Sequence, residues 1–182
     1  MSIERVPLET ERLLLEPVAS AHAQGLFEAT ISSQPELLPW MPWAKEPTLD
    51  GSKALADRAS SEWLAGHFRF AVVARDSGMV LGVVGLDLED KFAELSYWIR
   101  SDHAKRGLTT EACTALLAWC VRELHVTRFT LWAGRDNNAS RRVAEKLGFA
   151  HVGPLDWEPE GGLGTFPAEL RAEDLAKRRL LS

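Results

Sequence analysis

A short basic segment with a central glycine is the first part of the chain that could bind a ligand. It reads RSDHAKRGLTTE and joins a predicted strand to a predicted helix. Backbone N–H groups at a helix N-terminus attract anions such as phosphate, and Gly107 would let the backbone approach one closely. Lys105 and Arg106 add positive charge. The alternative is that Thr109 or Thr110 only caps the helix and that the basic pair is solvated.

A single carboxylate lies inside an otherwise apolar predicted strand. The strand reads FAELSYWI over residues 92–99, and alternation places Glu94, Ser96 and Trp98 on one face. Tyr97, which is the only tyrosine in the chain, falls on the other face. Carboxylates are uncommon in apolar strands, so Glu94 is a candidate general base. The alternative is a solvated surface residue.

The hydrophobic pattern predicts an α/β protein in which a mixed sheet carries helices on both faces. We expect strands over residues 11–18, 68–75, 80–88, 92–99, 128–133 and 149–152. We expect helices over residues 20–31, 50–66 and 107–124, and a fourth that Asn137 or Asn138 caps and Gly148 ends. Near the C-terminus, residues 165–171 are typical of a last strand and residues 172–181 of a helix.

Residues 34–47 break this regular pattern. They contain four prolines, which forbid a continuous helix, and yet they are apolar for a loop. Trp40, Met41 and Trp43 lie in this segment. The loop either closes the core or lines a pocket, and both interpretations can hold together.

Composition and charge exclude several classes of function. A chain of 182 residues, 46% of them hydrophobic, is long enough for one core and short for two, so we expect a single domain over residues 1–182. The net charge of −5 argues against a sequence-independent nucleic-acid binder. The sequence contains neither GxxxxGK[ST] nor GxGxxG, so nucleotide hydrolysis and dinucleotide binding are not supported.

The cysteines and histidines point to neither disulfide nor metal chemistry. Cys113 and Cys120 lie about 10 Å apart along one predicted helix, which is too far for a disulfide. The five histidines form no metal-ligand pattern. There is no signal-peptide pattern and no run of 18 apolar residues. We therefore expect a reduced, cytoplasmic protein without a metal.

Several pieces of the sequence, in this order and spacing, resemble the GNAT superfamily of acyl-CoA-dependent N-acetyltransferases. They are TERLLL near the start, LPW in the apolar loop, FAELSYWI with the basic glycine segment, DNNAS, and LGF. The branch that they resemble is the RimJ/RimL type, which acetylates protein N-terminal amines. The resemblance covers roughly residues 8–153.

The resemblance implies where a co-substrate would bind. It implies a mixed, mostly antiparallel sheet of about seven strands that splays open between its fourth and fifth strands, with acetyl-CoA lying in the opening. The pantetheine arm of acetyl-CoA would pair with the backbone of Trp98, Ile99 and Arg100. Its pyrophosphate would meet the backbone N–H groups of Lys105, Arg106, Gly107, Leu108, Thr109 and Thr110.

The resemblance also implies catalytic roles. Acetyl transfer needs a neutral amine, because an ammonium group has no lone pair, so a general base is expected. Glu94 is the favoured base, and Ser140 is the favoured acid that protonates the CoA sulfur. Tyr97 is a rival donor. Glu158 and Glu160 could enter the acceptor site as bases or be solvated loop charges, and water could mediate the proton transfer.

Other candidate residues have a functional and a structural interpretation. Asn137 and Asn138 contact the pantetheine arm or only cap a helix. Trp40 and Trp43 wall the acceptor pocket or only close the core. Ser140 could equally bond its own backbone in the first turn of a helix.

Three positions depart from the family pattern. Ala104 and Thr109 replace the usual first and last residues of the glycine loop, and Ser96 replaces the usual glycine. Since backbone N–H groups do most of the phosphate binding, we expect weaker or re-angled CoA binding rather than its loss.

We therefore expect an acetyl-CoA-dependent N-acetyltransferase that works in a ternary complex. Its acceptor would be a primary amine, either a peptide N-terminus such as that of a ribosomal protein or a small molecule. The alternative is a CoA-binding sensor or interaction module without transfer activity. We expect no nucleic-acid or membrane partner, and the apolar loop and the tail are candidate surfaces for a homodimer.

Overall fold

The computed structural model describes residues 3–152 and 165–177, and one mixed sheet of eight strands passes through both ranges. The strands are β1 Leu8–Glu9, β2 Leu13–Pro17, β3 His67–Ala74, β4 Val80–Glu89, β5 Phe92–Ile99, β6 Arg128–Gly134, β7 Ala150–His151 and β8 Thr165–Arg171. They lie in the order β1-β2-β3-β4-β5-β6-β8-β7. The strand beyond the expected seven is the two-residue β1, which pairs with β2 at the edge.

The sheet opens between β5 and β6, which are the parallel neighbours among the described strands. Pairing joins Phe92–Leu95 to Arg128–Leu131 and then stops, although β5 continues to Ile99 and β6 to Gly134. The two strands therefore diverge and leave a gap, which we call the wedge. Counted from β2, they are the fourth and fifth strands, so the expected splay is confirmed.

Helices cover both faces of the sheet, as predicted. They are α1 Ala23–Ser32, α2 Gln34–Leu37, α3 Leu49–Ser61, α4 Leu108–Leu124, α5 Asn138–Leu147 and α6 Ala172–Lys177. On one face, α4 buries an apolar stripe that includes Cys113, Leu116 and Cys120, in one cluster with Phe129 of β6. Both cysteines are free thiols.

The second apolar cluster lies on the opposite face, under α1 and α3. Leu26 and Ala56 of these helices pack there with Ala71, Val83 and Trp98 of the central strands. β5 therefore alternates as the sequence predicted, with Trp98 on this face. A side chain on β5 consequently faces either the α4 side or the α1 and α3 side, which decides what it can contact.

Three helix starts differ from the sequence prediction. α1 begins at Ala23, after a 3-10 turn over residues 20–22. α3 begins at residue 49 because Thr48 caps it, its Oγ1 accepting a hydrogen bond from the Gly51 N–H at 3.0 Å. Gly107 is the N-cap of α4. The alternative in which Thr109 or Thr110 caps this helix is therefore wrong.

The irregular segments agree with the sequence pattern. Residues 34–47 form the short α2 and a 3-10 turn over Pro42–Lys45 instead of one continuous helix. Near the C-terminus, the last strand and the helical pattern both occur, one after the other, as β8 and α6. Within the described residues, no helix combines the length and the apolar character that crossing a membrane requires.

Candidate active site

Beyond the point where its pairing with β6 ends, β5 has backbone N–H and C=O groups that face the wedge. The N–H of Arg100 donates to the Leu81 carbonyl oxygen at 2.7 Å, on the side of β4. Successive residues of a strand direct their backbone polar groups to opposite edges, so those of Ile99 and Tyr97 point towards β6. Because β6 has diverged there, these groups can bind an extended ligand.

The mouth of the wedge is formed by the N-terminus of α4. Gly107 has a φ of 80°, in the left-handed region that favours glycine, and it has no side chain with which to cap the helix. The Glu111 N–H donates to the Gly107 carbonyl oxygen at 3.0 Å. The N–H groups of Leu108, Thr109 and Thr110 precede this first helical bond, so they are available to an anion.

The positive charge at this mouth comes from Lys105 and Arg106, which are exposed. Arg100 is engaged elsewhere, because its Nε and Nη2 donate to the Asp102 carboxylate at 3.0 and 2.8 Å. Hydrogen bonds from Arg100 and then His103 hold the pKa of Asp102 well below its usual value. An anion would therefore meet Lys105 and Arg106 rather than a free Arg100.

The turn between β1 and β2 anchors this loop. Nη1 of Arg12 donates to the Arg106 carbonyl oxygen at 3.0 Å, and Nε of Arg12 donates to Glu111 at 2.7 Å. Thr10 donates to the same carboxylate at 2.6 Å. Partial burial alone would raise the pKa of Glu111, but the hydrogen bonds from Thr10 and Arg12 outweigh burial and lower it. The contact between Arg12 and Glu111 joins residues 99 positions apart, so no local sequence pattern predicts it.

Two hydroxyl groups meet across the wedge. Tyr97 Oη on β5 lies 2.9 Å from Ser140 Oγ on α5, and it also donates to the Ser140 carbonyl oxygen at 3.1 Å. Burial raises the pKa of Tyr97 far above its usual value. The Ser140 N–H donates to Oδ1 of Asn137 at 3.0 Å, so Asn137 caps α5. The two rival proton donors of the sequence analysis therefore form one hydrogen-bonded pair.

A cavity of about 380 Å³ lies on the α1 and α3 side of β5. Trp43 and Trp98 line it, with ring centroids 5.7 Å apart. Trp43 is 54% exposed, whereas Trp98 is buried. Arg69 and Ser96 add polar groups to the lining. The cavity has both apolar and polar lining groups and is open to solvent. These properties suit the binding of a small polar group that belongs to a larger molecule.

Trp40 has a different position from Trp43. A Cβ added at Gly134, the last residue of β6, would lie 2.6 Å from the Trp40 indole, so the ring rests on the glycine. Trp40 is half-buried and lies outside the lining of the 380 Å³ cavity. It therefore contacts the β6 wall of the wedge, and Trp43 alone of the two lines the cavity.

Glu94 lies one residue before the point at which β5 and β6 part. It is opposite Asp87 of β4 and Thr130 of β6. Although the residue is exposed, neighbouring protein displaces part of the water around its carboxylate, and this is the largest cause of its raised pKa. Asp87 raises the pKa further, while Arg69 and a hydrogen bond from Trp132 lower it. The group is therefore a stronger base than an ordinary glutamate.

Comparison with known proteins decides the family. Residues 12–150, about three quarters of the chain, match the family model described as "Acetyltransferase (GNAT) domain". The chain belongs to the GNAT acetyltransferase family. The family match confirms the resemblance that the sequence motifs of this GNAT enzyme showed. The alternative of a CoA-binding sensor without transfer activity is not favoured.

Curated relatives of this GNAT acetyltransferase include two bacterial proteins named for ribosomal substrates. YdaF of Bacillus subtilis (strain 168), a proposed ribosomal N-acetyltransferase, is 27% identical over 146 residues, which is 77% of each chain. A ribosomal-protein-serine acetyltransferase of Escherichia coli (strain K12) is 24% identical over 157 residues, covering 80% of this chain and 83% of the relative.

Solved structures share the fold at lower identity. RimJ of Mycobacterium smegmatis, in complex with a CoA disulfide, has a TM-score of 0.81 at 22% identity and covers 97% of this chain and 92% of its own. The ribosomal-protein-S5-alanine acetyltransferase of Vibrio fischeri has a TM-score of 0.80 at 19% identity, covering 93% and 98%. Both likenesses show that the sheet and its wedge have the GNAT architecture.

The structure brings most of the predicted site residues of this GNAT enzyme to the wedge. Of residues 98–100, Ile99 directs its backbone groups into the wedge, whereas the backbone of Trp98 and the N–H of Arg100 face β4, which corrects the expectation for these two. Residues 105–110 lie at the mouth of the wedge, and Ser140 lies across from Tyr97. Asn138 is exposed at the first position of α5. Glu158 and Glu160 lie outside the described residues. Within residues 3–152 and 165–177, no group of three or more His, Cys, Asp or Glu side chains is placed to hold a metal ion.

Proposed function

We propose that this GNAT acetyltransferase transfers the acetyl group of acetyl-CoA to a primary amine in a ternary complex, with one domain carrying both binding sites. The wedge carries this proposal. It has an open backbone edge on β5, uncapped N–H groups at its mouth, and the Tyr97–Ser140 pair on the face opposite the 380 Å³ cavity. A thioester in the wedge would thus lie between a proton donor and an acceptor pocket.

Acetyl-CoA would bind mainly to backbone groups. Its pantetheine arm is an extended amide chain, which suits the unpaired edge at Tyr97 and Ile99. Its pyrophosphate suits the N–H groups at the start of α4, with the charges of Lys105 and Arg106 beside them. A groove of about 670 Å³ adjoins Gly107 and runs along α4, which offers a surface for the nucleotide end.

Glu94 would act as the base and the Tyr97–Ser140 pair as the acid. The ammonium form of the acceptor would lose its proton to Glu94, directly or through one water, and the freed lone pair would attack the thioester carbonyl carbon. The departing sulfur would receive a proton from the hydroxyl pair as the C–S bond breaks, and the second proton that the attacking nitrogen loses would return to the pair, directly or through water, to leave a neutral amide. The raised pKa of Glu94 lies closer to the pKa of any acceptor amine than that of an ordinary glutamate does, and the remaining gap is smaller for an α-amine, with a pKa of about 8, than for a lysine, with a pKa of about 10.4.

A protein or peptide N-terminus is the acceptor that we propose first. The named activities of two relatives are on ribosomal proteins, and an α-amine needs the weaker base. The aromatic cavity with its polar rim would hold the first side chain of such a peptide.

Thiol release from acetyl-CoA tests the proposal. Peptides with a free N-terminus and no lysine are compared with the same peptides blocked by N-acetylation, and mass spectrometry locates any added acetyl group. We expect thiol release and N-terminal acetylation with the free peptides alone. If CoA raises the melting temperature while no peptide or small amine is acetylated, the protein binds the coenzyme without transferring from it, and the proposal is wrong.

A further inference from the structure

Arg69 on β3 is held in one extended position across the neighbouring strand. A Cβ added at Gly85 of β4 would lie 2.6 Å from Cδ of Arg69, so the arginine passes directly over the glycine. Its Nη1 donates to the carbonyl oxygens of Phe68 and Leu86 at 3.0 and 3.2 Å. Its Nη2 donates to both carboxylate oxygens of Asp87, at 2.7 and 2.8 Å. The guanidinium is therefore fixed by four oxygen atoms.

The Arg69–Asp87 pair connects the acceptor cavity with Glu94. Arg69 lines the 380 Å³ cavity. Asp87 lies directly opposite Glu94 in the antiparallel register of β4 and β5, so the two carboxylates share one face of the sheet. We propose that the Arg69–Asp87 pair is a positioning unit that sets the strength of Glu94 as a base. This inference rests on the proposed role of Glu94.

The balance of two opposite charges gives the pair this effect. Asp87 alone would repel a proton-free Glu94 and hold the proton on it, whereas Arg69 alone would favour the ionised form. The direction of each effect on the pKa of Glu94 agrees with this, since Asp87 raises it and Arg69 lowers it. When Glu94 accepts the ammonium proton, the N–H bond breaks, an O–H bond forms on Glu94, and the proton later passes to water.

Other charged groups share this face and are part of the same balance. Nδ1 of His67 lies 2.7 Å from Oδ1 of Asp87, and about half of its side chain is exposed. On the far side of Glu94, Arg128 of β6 lies 3.9 Å from Glu169 of β8. Among the described strands, the remaining charged side chains by strand position on this face are Glu9 of β1, Glu16 of β2, Glu89 of β4 and Arg171 of β8, and on the rim of the cavity they are Glu46 and Arg58. Arg69 and Asp87 are the pair locked in place between Glu94 and the cavity.

Opposite shifts of the pH–rate profile test the inference. Asp87→Asn leaves Arg69 without its carboxylate, so the acid limb of kcat/KM should move to lower pH by about half a unit or more. Arg69→Met leaves Asp87 uncompensated, so the limb should move to higher pH. Asp76→Asn, in the turn at the other end of the β3–β4 hairpin, removes the same charge and should leave the midpoint in place. Asp87→Ser replaces Asp87→Asn if the latter does not fold.

The same measurement separates this inference from the proposed function. Glu94→Gln should abolish the acid limb, which shows that the limb belongs to Glu94. If the acid limbs of the Asp87 and Arg69 variants have the same midpoint, or if both midpoints shift in the same direction, the inference is wrong. The proposed acetyl transfer is unaffected by that result. An acid limb that persists in Glu94→Gln overturns both the inference and the base role. If the wild-type protein transfers no acetyl group to any acceptor, the proposed function itself is wrong.

Discussion

The hydroxyl group of Tyr97 stays protonated throughout the working pH range, because burial raises its pKa far above the usual value. It has two hydrogen-bond partners on one residue, the side-chain and main-chain oxygens of Ser140. A proton given to a thiolate by either hydroxyl can be replaced through the other. At the scale of single residues, the acid that we propose for the reaction is therefore a pair of side chains, and sequence reasoning could only treat its two members as rivals.

A double-mutant cycle tests whether the pair acts as a unit. We expect Tyr97→Phe and Ser140→Ala each to lower kcat by about 100-fold or more, since general acid–base catalysis typically contributes about 10²- to 10⁴-fold. The double variant should be little worse than the poorer single variant, because each change already breaks the same path. Losses that multiply would show two independent roles. The dissociation constant of acetyl-CoA serves as the control and should hardly change.

At the scale of elements, the start of α4 depends on one backbone conformation. Gly107 adopts a φ of 80° with no side chain closer than Arg12 Nη2, which lies 3.6 Å from the position of an added Cβ. Alanine would therefore fit in space but would be strained by about 1–2 kcal/mol in the left-handed conformation. Relief of that strain would turn the first N–H groups of the helix away from the mouth of the wedge.

Gly78 offers a matched control for this prediction. It has a φ of 70° in the turn between β3 and β4, and an added Cβ would meet nothing within 4 Å. We expect Gly107→Ala and Gly78→Ala to lower the free energy of unfolding by similar amounts in urea. Only Gly107→Ala should weaken acetyl-CoA binding, by about 10-fold on the scale of one lost charge-assisted hydrogen bond. Unchanged affinity in that variant would place the phosphates elsewhere.

The elements differ in how far their sequence predicts them. The stripe of Cys113, Leu116 and Cys120 predicted α4 because a periodic apolar pattern reports burial directly. The wedge followed from the family resemblance, since nothing local in β5 or β6 shows where their pairing stops. The contact between Arg12 and Glu111 joins a turn to a helix 99 positions away, and that between Arg69 and Asp87 depends on the register of two hairpin strands, so neither shows in a local pattern.

On the scale of the whole molecule, the wedge divides the sheet into two parts that share a short seam. Strands β1–β5 and β6–β8 meet through four residue pairs, from Phe92↔Arg128 to Leu95↔Leu131. Trp40 adds a second connection beyond the seam, because it extends from the loop after α2 to Gly134 on the other part. The apolar loop therefore makes two separate contacts: Trp40 joins the two parts of the sheet, and Trp43 lines the cavity that we propose for the acceptor.

Replacing each of the two tryptophans by alanine should consequently have different effects on stability and on acceptor binding. Trp40→Ala removes a half-buried ring from the β6 wall and should lower the free energy of unfolding by about 2 kcal/mol, below the cost at a fully buried site. Trp43→Ala removes a largely exposed ring whose contact with Trp98 stabilises the fold by about 1 kcal/mol at most. It should instead raise KM for the peptide acceptor several-fold and leave KM for acetyl-CoA unchanged. Urea unfolding and steady-state kinetics on both variants check this division, and an equal stability loss with equal acceptor KM would contradict it.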